Sequence, residues 1–250
     1  MDRWRWLANL ATFGNGLAGV GAIAYISAGN PTFGMLLIAM GVGLDGLDGL
    51  FARRGTTPPT RFGRAADSVA DAVTFGLAPA FLVTVHTIDG PIWSPWQIEL
   101  LIVAALFVGL AFARLAYFSW RGYQQPYFLG VPTPQSALAV LTVGLFVIVP
   151  AFFSPDPPVF LALTVLIAIA MVLPVRYPKI RGGARLRLMM GITGGALALA
   201  LVPLQFGPAS GSIAYLAAFG ASLVAAVGLG IYYFVGPMTV DGSSKAAATA

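Results

Sequence analysis

Of the 250 residues of this chain, 58% are hydrophobic and only 9% charged, at a mean hydropathy of +0.84. Soluble domains carry roughly 25% charged residues, so composition excludes a water-soluble globular protein and points to one that crosses a membrane many times. The absence of cysteine excludes disulfides, thiolate metal sites and cysteine nucleophiles, and the net charge of +5 needs an explanation other than nucleic acid.

Apolar stretches long enough to span a bilayer, about 20 residues each, fall near residues 7–28, 31–53, 64–86, 97–119, 133–153, 157–174, 187–205 and 212–235. The expected fold class is all-α, a polytopic membrane helix bundle of about eight transmembrane helices. Arg3 and Arg5 precede a long apolar run with no small-residue cleavage site, so the first span is expected to be retained. Proline marks the predicted ends, as at Pro31, Pro91, Pro132, Pro134, Pro157 and Pro178. Residues 237–250 are small and polar and are expected to form a flexible cytoplasmic tail.

The fourteen Lys and Arg residues sort with these spans. Arg3 and Arg5 lie before the first; Arg53, Arg54, Arg61 and Arg64 flank the second connection; Arg114 and Arg121 lie by the fourth. Arg176, Lys179, Arg181, Arg185 and Arg187 fall in the sixth, and Lys245 in the tail, while the opposite connections hold Asp89, Asp156 and nearby Glu99 with no base. The positive-inside rule then places both termini in the cytoplasm of an integral membrane protein. The positive charge is topological, with a contribution from anionic membrane lipid, and no nucleic-acid partner is expected.

Four aspartates stand apart from this pattern: Asp45-Gly-Leu-Asp48-Gly49-Leu-Phe-Ala52-Arg53, nine residues, then Gly63-Arg-Ala-Ala-Asp67-Ser-Val-Ala-Asp71. A carboxylate at membrane depth costs roughly 2.5–3.5 kcal/mol, so a cluster of four needs compensation. Spacings of three and four put each pair on one helix face, and a short connection makes the two helices antiparallel neighbours. Four carboxylates from two directions can hold two hard divalent cations with room for phosphate oxygens. Gly43, Gly46 and Gly49 bare one face of the second helix for a neighbouring helix or a nucleotide, and Arg53 can reach a phosphate. A single Asp–Arg staple does not account for four acids. A cation transporter would use the same ligands, but it would hold its ions near the midplane rather than at one end of the helices.

The pattern D-x2-D-G-x2-A-R-x9-G-x3-D-x3-D resembles the signature of the CDP-alcohol phosphotransferases. The resemblance implies a six-helix core, residues 1–186, followed by two additional transmembrane helices in 187–236, with the active site facing the cytoplasm. It implies two divalent cations, Mg2+ or Mn2+, held by Asp45, Asp48, Asp67 and Asp71, with Asp71 as general base. It places Asp48, Gly49, Ala52, Arg53 and Gly63 against the CDP-lipid. By the same analogy Asn9, Thr12 and Thr60 touch the nucleotide or its phosphates, and the chain forms a homodimer.

Further segments are most similar to the bacterial and archaeal phosphatidylserine synthases of that family: Asn9-x2-Thr12-x2-Asn15-x3-Gly19, Asp67-Ser-Val-Ala-Asp71 through Phe75-Gly76-Leu-Ala-Pro79-Ala, Arg114-Leu-Ala-Tyr-Phe118 with Gly130-Val-Pro132-Thr-Pro134, and Met171 through Tyr177-Pro178. They imply CDP-diacylglycerol and L-serine as substrates, with Arg114 a candidate for the acceptor's carboxylate. Its alternative is a basic residue snorkelling at a helix end. Tyr117, Ser119 and Pro174 depart from that pattern, which leaves glycerol phosphate or an inositol phosphate open as acceptor, with the bases of 176–187 to receive it. The only histidine, His86, lies fifteen residues beyond Asp71. On a helix that is about 22 Å away, too far to serve as the base.

Overall fold

The computed structural model describes residues 3–56, 60–85, 95–121, 127–148, 157–178, 193–199, 201–202 and 211–248, which fall in two compact units, Met1–Leu115 and Ala116–Ala250. The protein is an all-α polytopic membrane bundle. Among the described residues five helical segments are long and apolar enough to cross a bilayer: Arg3–Ser27, Pro31–Arg54, Arg61–Thr84, Gln97–Ser119 and Gly220–Met238. Thr133–Phe146 and Pro158–Val172 are shorter apolar helices. Of the expected span near 187–205, only 193–199 and 201–202 are described.

In the first unit, α1 (Arg3–Ser27) and α2 (Pro31–Arg54) form an antiparallel hairpin. The turn follows from its residues. Gly29 takes φ +82° after the last helical turn, its N–H donating to Ile26 O and that of Asn30 to Tyr25 O. Asn30 then caps α2, its Oδ1 accepting the Phe33 N–H at 3.1 Å, ahead of Pro31 at the first helical position.

The packing is inverted relative to a soluble bundle. Ala8, Ala11, Asn15, Ala18, Gly19 and Ala22 form the buried face of α1, whereas Leu10, Phe13, Leu17 and Val20 point outward. Lipid tails are as apolar as leucine, so helices gain by bringing small residues and backbones together and leaving large side chains to the bilayer.

The third crossing begins as α3 (Arg61–Asp71), widens into a π-helical segment (Ala72–Leu77) and resumes as α4 (Ala78–Val85). Thr74, at the centre of the wide turn, lies against two bare backbones. A β-carbon on Gly19 of α1 would come 2.8 Å from Thr74 Cα, and one on Gly41 of α2 would meet Thr74 Cγ2. Because backbone rather than a flexible side chain blocks the space, Gly19→Ala is expected to destabilise the protein by about 1–3 kcal/mol. The check is a lowered thermal unfolding midpoint in detergent; an unchanged midpoint would show the three segments to be further apart. The long α5 (Pro95–Arg121) packs Ala111 and Phe112 against Gly76.

In the second unit, α6 (Thr133–Ile148) and α7 (Pro157–Val172) are framed by a two-stranded antiparallel ribbon of β1 (Tyr127–Leu129) and β2 (Arg176–Pro178), with Phe128 opposite Tyr177. Gly130, at φ +70°, ends β1 where a β-carbon would run into Met171 O. A short helical segment α8 (193–199) packs Thr193 on Gly228 of α9 (Gly211–Ala248). The ribbon is pinned to α9: Tyr177 stacks on Tyr232 at 5.5 Å and donates its hydroxyl to Tyr233 O at 3.3 Å. The helix α9 runs on into the residues expected as a tail, where alanine and lysine near its end are good helix formers.

Candidate active site

The acidic residues lie on the last turns of α2 and the length of α3. Thr60 starts α3 as its N-cap, its Oγ1 accepting the Gly63 N–H at 3.0 Å. From this start Asp67 and Asp71 fall one turn apart on the face toward α2. One carboxylate oxygen from each of Asp45, Asp67 and Asp71 lies within 4.8 Å of the others. Asp48, 8% exposed, lies beside Asp67 and also reaches α1, where its Oδ2 accepts the Thr12 hydroxyl at 2.8 Å.

Carboxylates this close, if ionised, repel by about 4 kcal/mol per pair at an effective dielectric of about 20, so the arrangement calls for positive charge. Asp67 Oδ1 is buried with no hydrogen-bond partner, an acceptor a cation would satisfy. The donors are all carboxylate oxygens, which suit hard divalent cations such as magnesium or manganese. The residues present therefore fit a divalent metal site.

The third wall is α1, and it holds a residue that motif reasoning did not place in the site. Asn15 is fully buried and donates from Nδ2 to Asp71 Oδ1 at 3.0 Å. Its backbone carbonyl accepts the Thr74 hydroxyl at 2.8 Å. The available signal was spacing: Asn9, Thr12 and Asn15 recur every three residues and so share one side of α1.

The other expected residues are distributed as follows. Asn9 is exposed one turn before Thr12, and Ala52 and Arg53 are exposed at the end of α2. Gly49 is partly buried, and a β-carbon there would make ordinary contact with Arg53 Nη1 at 3.4 Å. Beside Gly43 and Gly46 the space is open. Thr60 and Gly63 are joined to each other in the helix cap. Arg114 is 7% exposed and about two turns before the end of α5, which does not match a side chain snorkelling at a helix terminus. His86 and the bases from Lys179 to Arg187 lie outside the described residues.

The family model for CDP-alcohol phosphatidyltransferases matches residues 5–176, which takes in all four aspartates and ends in β2. The chain belongs to the CDP-alcohol phosphatidyltransferase family. It is a membrane transferase of phospholipid biosynthesis. Among curated members of the family it is 34% identical over 176 residues to the CDP-diacylglycerol–serine O-phosphatidyltransferase of Helicobacter pylori strain J99, covering 69% of this chain and 72% of that protein. It is 31% identical over 144 residues to the enzyme of that name from Methanocaldococcus jannaschii, 57% of this chain and 62% of the relative. With the archaetidylserine synthase of Methanothermobacter thermautotrophicus it shares 27% identity over 177 residues, 70% of this chain and 71% of the other. The family match ends at residue 176, which leaves the region of α8 and α9 beyond it.

Proposed function

We propose that this CDP-alcohol phosphatidyltransferase moves a phosphatidyl group from CDP-diacylglycerol to the hydroxyl of L-serine and releases CMP. The observation that carries the reading is the meeting of Asp45, Asp67 and Asp71 at the facing ends of two helices. The relatives named for serine transfer support the acceptor.

In this reading the serine oxygen attacks the lipid-side phosphorus, the bond from that phosphorus to the CMP oxygen breaks, and Asp71 takes the hydroxyl proton. A serine hydroxyl is a poor nucleophile at neutral pH and needs such a positioned base. Two divalent cations bound by Asp45, Asp48, Asp67 and Asp71 would screen the pyrophosphate and the charge developing on CMP. Arg53, exposed one turn beyond Gly49, can grip a phosphate oxygen bidentately, and Asn9, Thr12, Ala52, Thr60 and Gly63 border the CDP moiety. Arg114, buried in α5, receives the acceptor's carboxylate.

The same reading sets both termini and the acidic site on the cytoplasmic side, where nucleotide and amino acid are dissolved, and two copies of the chain form the working unit. Residues 1–186 are the catalytic core, with 187–236 added to it.

The test is incubation of the purified protein with CDP-diacylglycerol and, separately, L-serine, glycerol 3-phosphate and an inositol phosphate, following CMP and the mass of the lipid product. Serine is expected to give the dominant new lipid. Product with a phosphorylated alcohol alone would change the acceptor and keep the chemistry; no CMP with any alcohol would remove the proposal.

A further inference from the structure

We propose that Asn15 is a positioning residue for Asp71, presenting one chosen carboxylate oxygen to the reaction; this rests on the role proposed for Asp71 above. A carboxylate turns easily about its last torsion, so a base or ligand that must act through one oxygen needs the other one tied. The Asn15 amide does this, donating from Nδ2 to Asp71 Oδ1 at 3.0 Å from a fully buried position. Oδ2 of Asp71 is then the oxygen left for a proton or a cation.

Asn15 is itself held from two further sides. Its backbone carbonyl accepts the Thr74 hydroxyl at 2.8 Å, and its Oδ1 lies against the bare backbone of Gly41, where a β-carbon would come within 2.9 Å of it. The wide π turn that begins one residue after Asp71 carries Thr74 to that place. Wide turns of this kind occur often at functional sites.

A pure packing role does not explain the residue. Asn15 Oδ1 is buried with no hydrogen-bond partner, so the amide strands an acceptor in an apolar helix interface to deliver its NH2 to Asp71. The reverse orientation would set the amide oxygen against a carboxylate oxygen, so chemistry fixes which end faces Asp71. Leucine would fill the same space without leaving an acceptor unpaired.

The experiment uses the full-length protein in detergent, with Asn15→Leu, the isosteric Asn15→Asp and, as a control, Ile38→Ala. The control removes buried volume from α2, two turns before Asp45, and leaves Asn15 and its partners in place. Manganese binding without substrate is followed by electron paramagnetic resonance, and kcat and the CDP-diacylglycerol KM are measured separately. Asn15→Leu is expected to lose about 10–100-fold in kcat, in manganese affinity, or both, as when an outer partner of a metal ligand is removed, with KM within about threefold. Ile38→Ala, at a comparable fall in thermal midpoint, is expected to stay within about threefold of wild type in both. Asn15→Asp, which keeps the shape but loses the NH2, carries the expectation if the leucine variant does not fold. Folded Asn15 variants with wild-type kcat and manganese affinity, or an Ile38→Ala defect as deep as theirs, would overturn the proposal. A wild-type enzyme that turns over without binding manganese or magnesium would instead remove the metal part of the proposed function and leave the kcat comparison to judge Asn15.

Discussion

Asp71→Asn is expected to slow CMP release by about 10³-fold or more while the helices stay assembled, since a positioned general base contributes typically 10²–10⁴-fold and Asp71 also lies among the other acids. The substitution keeps the shape of the side chain. Asn15 Nδ2, which now donates to Asp71 Oδ1, would find the amide oxygen of the new residue in the same place, so the link between α1 and α3 survives. What disappears is the ability to take a proton and to bind a cation with full negative charge. The measurement is the rate of CMP release beside a thermal melt of the same preparation. Near-normal turnover in a folded variant would end the assignment of Asp71 as base.

Removing divalent cations is the second large effect. With excess chelator, activity is expected to fall below detection and to return on adding magnesium or manganese, because the acidic cluster then confronts a pyrophosphate with no cation between them. A structural readout accompanies the catalytic one. A cation that binds the folded state at about 100 times its Kd adds about 2.7 kcal/mol of stability, so the melting midpoint should rise as manganese is titrated in. Full activity in chelator would defeat the metal reading, whatever the acceptor proves to be.

The acidic site was legible because its information is local. Spacings of three and four within a helix, and one short connection, place Asp45, Asp67 and Asp71 together almost without reference to the rest of the chain. The helical class was legible for the same reason: hydropathy over about 20 residues needs no tertiary knowledge. The bond from Asn15 to Asp71 joins residues 56 apart and depends on how α1 rolls against α3, which spacing within α1 does not specify. The ribbon of Tyr127–Leu129 and Arg176–Pro178 escaped notice because three residues are too few to show an alternating pattern and the partners are distant in sequence. The π turn at Ala72–Leu77 has no compositional mark, and the Thr74 hydroxyl it carries bonds a carbonyl 59 residues away in sequence.

That turn has a consequence for how the third crossing can vary. An ordinary helix is one rigid screw, so any choice of side chain that suits its lower half constrains the angular phase of its upper half. A single wide coil between Asp71 and Ala78 breaks that phase relation. Upstream, Asp67 and Asp71 take their heading from α2 and the α1 face of Asn15; downstream, Ala80, Leu82 and Val83 are free to settle into the bundle on their own terms. The chain thereby uncouples the geometry its chemistry demands from the geometry its hydrocarbon surroundings demand, within one continuous rod.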